Sequence, residues 1–285
     1  MHNVDSGHLL TSSLYLETAS DATVRSSPGR LATLISPFPT RDILGVKVAV
    51  CNRDEAVSFL LERLGQRRLT QVAFANANLL TVLGNEPHGA RVLDRFLVFN
   101  DGVGLEIASK LLYGAGFPSN LNGSDLTPAL LAAAPRATRV FLFGAQPGVA
   151  RKAANVITQR LGLPVCGTRD GYGETHDSAN LIESIRAARP DIVLVALGNP
   201  RQERWIAENG ARLGAPIIMG IGALFDFLAN IVPRAPLAVQ HLRLEWLWRL
   251  ALEPRRLGKR YTVDLVTFLW RVWQKRQEAC LGPRS

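Results

Sequence analysis

With 285 residues, 47% of them hydrophobic and 20% charged, the chain can fill a real core in one large or two small domains, and it shows no low-complexity tract or internal repeat. Its three cysteines, Cys51, Cys166 and Cys280, are scattered, and its five histidines share no metal-ligand spacing, so neither a zinc site nor a disulfide framework is indicated. The charge of +9 is concentrated: residues 233–276 hold ten Lys/Arg against three acids, +7 of the total, with four of the five tryptophans. Basic residues interleaved with Trp and Leu at helical spacing point to a membrane surface rather than to nucleic acid. The apolar runs are too short to cross a bilayer, the first 30 residues lack a secretory signal pattern, and reduced thiols fit a cytoplasmic setting.

Residues 1–40, rich in Ser, Thr, Gly and Pro, read as a mobile leader. The folded core is expected over 41–232, opening with an edge strand or hairpin at 42–48. Asn52 or Asp54 can cap a helix with the apolar stripe Ala56, Phe59, Leu60 and Leu64, closed by Gly65. Buried strands follow at 71–75, 96–99, 140–143, 191–197 and 216–219, with a strand and loop at 164–175. Helical patterns fill the intervals: after Asn76-Ala77-Asn78, from Leu105 to Leu112, after a Gly123-Ser124-Asp125 cap with Pro128 in the first turn, through Ala150, Ala154 and Ile157, near 177–188, and from Pro200 as first helical residue. This alternation predicts an α/β fold, a Rossmann-like, mostly parallel sheet with helices on both faces. Residues 233–285 are expected to form a basic, amphipathic helical appendage that binds membrane and acceptor. Its stripe of Tyr261, Leu265, Phe268, Leu269, Val272 and Trp273 is of a kind that more often packs on its own domain than on lipid.

Several strands end alike, in small or polar residues: Asn76 and Asn78, Asp101 and Gly102, Gly144, Gly198 and Asn199, Gly220 and Gly222. These ends would line one edge of the sheet, where α/β proteins bind ligands. Asp101 would project into that crevice, where a carboxylate can accept a proton from an attacking hydroxyl. Taken alone, Asn100-Asp101-Gly102 is also ordinary strand-to-helix turn chemistry. Gly144 to Gly148 could cradle a phosphate at a helix N-terminus, and a tight turn explains the same glycines. Gln202 can donate to and accept from a nucleotide or sugar; Glu203 suits either that role or its own helix N-terminus. Asp226 reads equally as a structural acid or a substrate contact. Arg234, Arg249, Arg255, Arg256 and Arg260 belong to the densest arginine cluster, which fits a diphosphate or a solvated basic face. No Asp-x-Asp pair occurs, the usual means by which a sugar-transferring enzyme holds a divalent metal on a nucleotide diphosphate.

In chain order, Asn76-Ala77-Asn78, Asn100-Asp101-Gly102-Val103-Gly104, Gly123-Ser124-Asp125-Leu126, Phe141-Leu142-Phe143-Gly144, Gly171-Tyr172, Gly198-Asn199-Pro200-Arg201-Gln202-Glu203-Arg204-Trp205 and Gly220-Ile221-Gly222-Ala223-Leu224-Phe225-Asp226 form an ordered set. With Arg234-Ala235-Pro236, Glu245-Trp246-Leu247-Trp248-Arg249-Leu250 and Glu253-Pro254-Arg255-Arg256, the set resembles the WecG/TagA/CpsF glycosyltransferases over residues 42–262. The resemblance implies an inverting, metal-independent transferase without a cofactor. It moves a sugar from a UDP-sugar to a polyprenyl-diphosphate-linked sugar, as a peripheral protein on the cytoplasmic face of the bacterial inner membrane, in exopolysaccharide or cell-envelope polysaccharide synthesis. It implies Asp101 as base, and Asn76, Asn78, Asn122, Gly144, Gly198, Asn199, Gln202, Glu203, Gly222 and Asp226 around donor and acceptor. Arg234, Arg249, Arg255, Arg256 and Arg260 fall to the lipid diphosphate and the anionic membrane.

Two departures bear on the donor. The family commonly has Thr-x-Asn at Asn76-Ala77-Asn78, and an Arg at the position of Asn120. The Asn120-Leu121-Asn122-Gly123 variant is similar to the GumM-like branch, which adds glucose to a glucosyl-diphosphate lipid; a ManNAc or ManNAcA transferase is the alternative within the family. A Rossmann-type oxidoreductase requires a complete glycine fingerprint with an acid about 20 residues on, which the chain lacks. A basic nucleic-acid-binding protein requires salt-sensitive DNA affinity, and no nucleic-acid partner is expected. A homo-oligomer is left open.

Overall fold

The computed structural model describes residues 36–172, 178–233, 245–252, 258 and 260–281. The fold opens with an antiparallel hairpin, β1 (Thr40–Ile43) and β2 (Val46–Ala49). Its two-residue turn puts Leu44 and Gly45 at positive φ, the conformation that matches the twist of paired strands. Phe38, within the stretch expected to be a leader, packs edge-on against Phe59 at 5.5 Å between ring centroids. Residues 1–35 lie outside the described residues.

Helix α1 (Arg53–Gly65) starts at Asn52, whose side chain accepts from the Glu55 N–H while Glu55 accepts from the Asn52 N–H. This reciprocal capping satisfies two donors that the helix cannot pair internally. Six parallel strands then assemble in the order β4 (Phe96–Asn100), β3 (Thr70–Ala75), β8 (Ile217–Gly220), β7 (Ile192–Ala196), β5 (Val140–Gly144), β6 (Val165–Arg169). Five of them are buried along their whole length, which is why they read as continuous apolar runs rather than alternating ones. Strand β6, at the edge, is half-buried.

Helices cover both faces. Phe74, Phe99, Leu142 and Met219 face α1, α4 (Gly123–Ala133), α5 (Val149–Leu161) and α8 (Leu224–Leu228). Val98, Phe143, Val195 and Ile218 face α2 (Ala77–Gly84), α3 (Val103–Tyr113), α6 (Ser178–Ala187) and α7 (Arg201–Asn209).

Two helix starts differ from expectation. Asn122, not Gly123, caps α4, because its side-chain Oδ1 accepts the Asp125 N–H at 2.9 Å. Pro128 therefore sits inside the helix, not in its first turn, and removes one internal hydrogen bond. Pro200 is the cap of α7, one residue before the first helical position, and the Asn199-Pro200 peptide is cis.

The C-terminal segment is part of the body. A π-helical turn at Arg260–Asp264 leads into a helix, Leu265–Leu281, that packs on α2 and α3. Phe268 and Val272 are fully buried, each burial contributing about 2–3 kcal/mol of apolar transfer. Arg271 donates to the Thr81 carbonyl and to Asn85, and Lys275 pairs with Asp42 of the hairpin. Trp273 leaves the expected stripe: it is exposed and stacks on exposed Trp270 at 5.0 Å. Among the described residues no helix is long and apolar enough to cross a membrane.

Candidate active site

The parallel register aligns the carboxyl ends of the central strands. Ala75 lies opposite Asn100, Gly144 opposite Ala196, and Val195 opposite Gly220. The residues just beyond these ends, together with the starts of α2, α3, α4 and α7, enclose a cleft of about 840 Å³. Asn76, Asn78, Asp101, Asn122, Gly198, Asn199, Gln202, Gly222 and Asp226 all line it. Residues separated by up to 150 positions therefore meet because the strands end at one level.

Asp101 follows the last residue of β4, and its N–H donates to the Ala75 carbonyl at 2.7 Å, which extends the β3–β4 pairing by one bond. Asn76 Nδ2 donates to Asp101 Oδ2 at 3.2 Å while Asn76 Oδ1 caps α2 by accepting the Leu79 N–H at 3.0 Å. One amide thus starts a helix and orients a carboxylate. Gly102 has φ +87, which an L side chain rarely adopts, and its N–H donates to Asn120 Oδ1 at 2.9 Å. Asn120 and Asp125 also line the cleft, with Asp125 accepting from Asn122 Nδ2 at 2.8 Å.

The opposite wall is built on α7. Gln202 is buried; its Oε1 accepts the Gly222 N–H at 3.1 Å and its Nε2 donates to Glu203 Oε1 at 2.8 Å. Asn199 Nδ2 donates to the same Glu203 oxygen at 2.7 Å. Glu203 is fully buried and does not line the cleft. Its Oε2 has no hydrogen-bond partner, and burial pushes its carboxyl up to about 7, against the lowering effect of the Gln202 and Asn199 hydrogen bonds.

Gly144 does not line the cleft either. It sits at φ +120, and a Cβ there would meet the Ala196 carbonyl oxygen at 2.4 Å, so glycine allows β5 to approach β7 and turn sharply. Its neighbours Ala145 and Gln146 do face the cleft.

Asn120, singled out in the sequence as a departure bearing on the donor, is a cleft residue, and so are Arg53 and Asp125, which sequence reasoning did not assign to the site. The Asn122-x-x-Asp125 spacing carried a capping signal. Arg53 carried none, since α1 meets the cleft only through folding. Arg53 and Arg201 are exposed at the cleft and give it two cations. Among the expected diphosphate and membrane residues, Arg234, Arg255 and Arg256 and the side chains of Arg249 and Arg260 lie outside the described residues.

A doubly covered parallel sheet with a polar cleft along its carboxyl edge is the arrangement in which α/β proteins bind ligands. The chain matches the model of the glycosyl transferase WecG/TagA/CpsF family over residues 41–280. It belongs to that family and is a glycosyltransferase of cell-envelope polysaccharide synthesis, a family that suggests a nucleotide-sugar donor and a lipid-linked sugar acceptor. Membership removes the oxidoreductase and nucleic-acid readings. Among solved structures, a mutant of arylmalonate decarboxylase in its sulfate ion associated form is similar at 17% identity, covering 68% of this chain and 83% of that one; the TM-score of 0.24 is too low to bear on fold or function.

Proposed function

We propose that the cleft is the active site of an inverting, metal-independent transferase in which Asp101 is the general base. The sugar, glucose in our reading, comes from a UDP-sugar and goes to a polyprenyl-diphosphate-linked sugar at the cytoplasmic face of the bacterial inner membrane. The acceptor hydroxyl gives its proton to the Asp101 carboxylate as its oxygen bonds to the anomeric carbon. The bond from that carbon to the β-phosphate oxygen breaks, and its electron pair leaves with UDP. Attack on the face opposite the leaving group inverts the anomeric centre.

The observation that carries this reading is Asp101 at a strand's carboxyl end, in the cleft wall, with Asn76 Nδ2 directing one of its oxygens. A positioned base contributes roughly 10²–10⁴-fold. Asn78, Asn122, Gly198, Asn199, Gly222 and Asp226 supply the surrounding polar wall. Cleft arginines Arg53 and Arg201 are suited to the charge that develops on the departing diphosphate. Arg234, Arg249, Arg255, Arg256 and Arg260 are assigned the acceptor diphosphate, and the exposed Trp270–Trp273 pair the lipid interface.

The test is incubation of the purified protein with a panel of UDP-sugars and a short-chain lipid-diphosphate sugar, read by mass spectrometry. The expected result is one disaccharide product, its anomeric configuration inverted when read by NMR, and turnover at least ~100-fold lower from Asp101→Asn. Retained configuration, or normal turnover by Asp101→Asn, would overturn the reading.

A further inference from the structure

Glu203 stands behind the cleft wall and touches two residues that form it. A carboxylate oxygen that lacks a proton can only accept, so both amides that reach Glu203 Oε1 must present their NH₂ ends. A backbone N–H can only donate, so the Gly222 N–H requires the oxygen end of Gln202. These constraints agree: the Gly222 N–H fixes Gln202, and an unprotonated Oε1 fixes Asn199. A proton on Oε2, the oxygen with no partner, leaves Oε1 free to accept in the same way.

The consequences differ for the two amides. Gln202 is buried, and both ends of its amide are engaged inside the protein. It ties the turn after β7 to the turn after β8, and Gly220 lies against it so closely that a Cβ there would meet Gln202 Nε2 at 3.0 Å. Asn199 is half-buried and lines the cleft. With its NH₂ held by Glu203, its Oδ1 is left to the cleft, and no donor among the described residues meets it.

We propose that Glu203 is a positioning residue that fixes the Asn199 amide so that its oxygen faces the cleft as an acceptor, and that Asn199 thereby recognises an O–H or N–H of the donor. Two parts of a UDP-sugar carry such groups, the uracil with the ribose and the transferred sugar. A phosphate oxygen is not what this corner is built to receive. The inference deepens the active-site reading above and rests on it.

The experiment measures binding of the full-length protein to UDP and to UDP-glucose by calorimetry, with turnover kinetics alongside, for wild type, Asn199→Ala, Glu203→Leu, Glu203→Gln and the double variant Asn199→Ala/Glu203→Leu. Asn199→Ala should weaken donor binding by tenfold or more and raise KM with a smaller change in kcat. Loss of affinity for UDP as well as UDP-glucose assigns the contact to the nucleoside; loss for UDP-glucose alone assigns it to the sugar. Glu203→Leu should lose affinity for the same ligand, and the double variant should be no worse than Glu203→Leu, because the two residues act as one unit. Glu203→Gln, whose carbonyl oxygen can still accept both amides, should recover most of that affinity.

Folding of each variant is checked by its thermal transition. If Glu203→Leu does not fold, Asn199→Ala still decides: unchanged affinity for both ligands overturns the inference. Independent, multiplying losses in the double variant overturn it too, as does a Glu203→Gln variant as impaired as Glu203→Leu. Wild-type protein that binds neither UDP nor any UDP-sugar would instead refute the active-site reading itself.

Discussion

The buried Glu203 makes stability depend on pH in a direction opposite to that of most carboxylates. Its carboxyl is raised from 4.5 to about 7, chiefly by burial. Below pH 4.5 the group is protonated in both the folded and the unfolded chain, and its contribution to stability is fully present. Between 4.5 and 7 the unfolded chain loses the proton while the folded chain keeps it, so stability falls as pH rises, by up to about 1.4 kcal/mol per pH unit. Across the whole window the loss is on the order of 3 kcal/mol, a large share of the ~5–15 kcal/mol by which a domain is stable.

Glu203→Gln removes the titration. It also places an amide NH₂ where Oε2 has no partner, at a pH-independent cost of about 1–3 kcal/mol. The variant should therefore be the less stable protein near pH 4.5, and the difference should shrink or reverse by pH 8. Urea unfolding of both proteins at half-unit steps from pH 4.5 to 8 measures this, and the difference between them cancels all other titrating groups. A wild-type-minus-variant difference that stays constant across the range would refute the reasoning.

Asp101→Asn should keep the unfolding midpoint near that of wild type and lower turnover by ~100-fold or more, read in the product assay. Exhaustive chelation should leave turnover intact; a loss restored by adding Mg²⁺ or Mn²⁺ would overturn metal independence. Phe268→Ala should destabilise the whole protein by about 3–5 kcal/mol in urea unfolding, because Phe268 is a core residue on the C-terminal helix. Trp270→Ala with Trp273→Ala, both on the exposed face, should spare that stability and reduce binding to anionic vesicles in a flotation assay. Arg255→Ala with Arg256→Ala should impair turnover even of a short, water-soluble acceptor; unchanged kinetics would remove those arginines from the diphosphate site.

Sequence alone was enough for most of the elements and for their class, though not for the short helix Leu224–Leu228. Apolar runs at strand length, helical stripes and caps such as Asn52 are local patterns, set by backbone geometry within a few residues. The repeated polar strand endings also announced a single edge, because all strands of a parallel sheet end on the same side. What those patterns could not contain was the order β4-β3-β8-β7-β5-β6, which depends on how helices pack across the sheet and decides which endings become neighbours. That order brings Asn199, Gln202 and Gly222 together, and carries Arg53 into the cleft from a helix with no chemical signal of its own. Depth was equally invisible. Gly144 and Glu203 occupy motif positions next to cleft residues, yet both lie behind the wall, one as the contact between two strands and the other as a brace beneath two amides. Likewise Phe268 and Trp273 share one apolar stripe in sequence, and only packing against α2 and α3 buries the first and exposes the second. Burial is a property of three-dimensional neighbours, and it sets both the proton affinity of Glu203 and the division of the last helix into a core face and a free one.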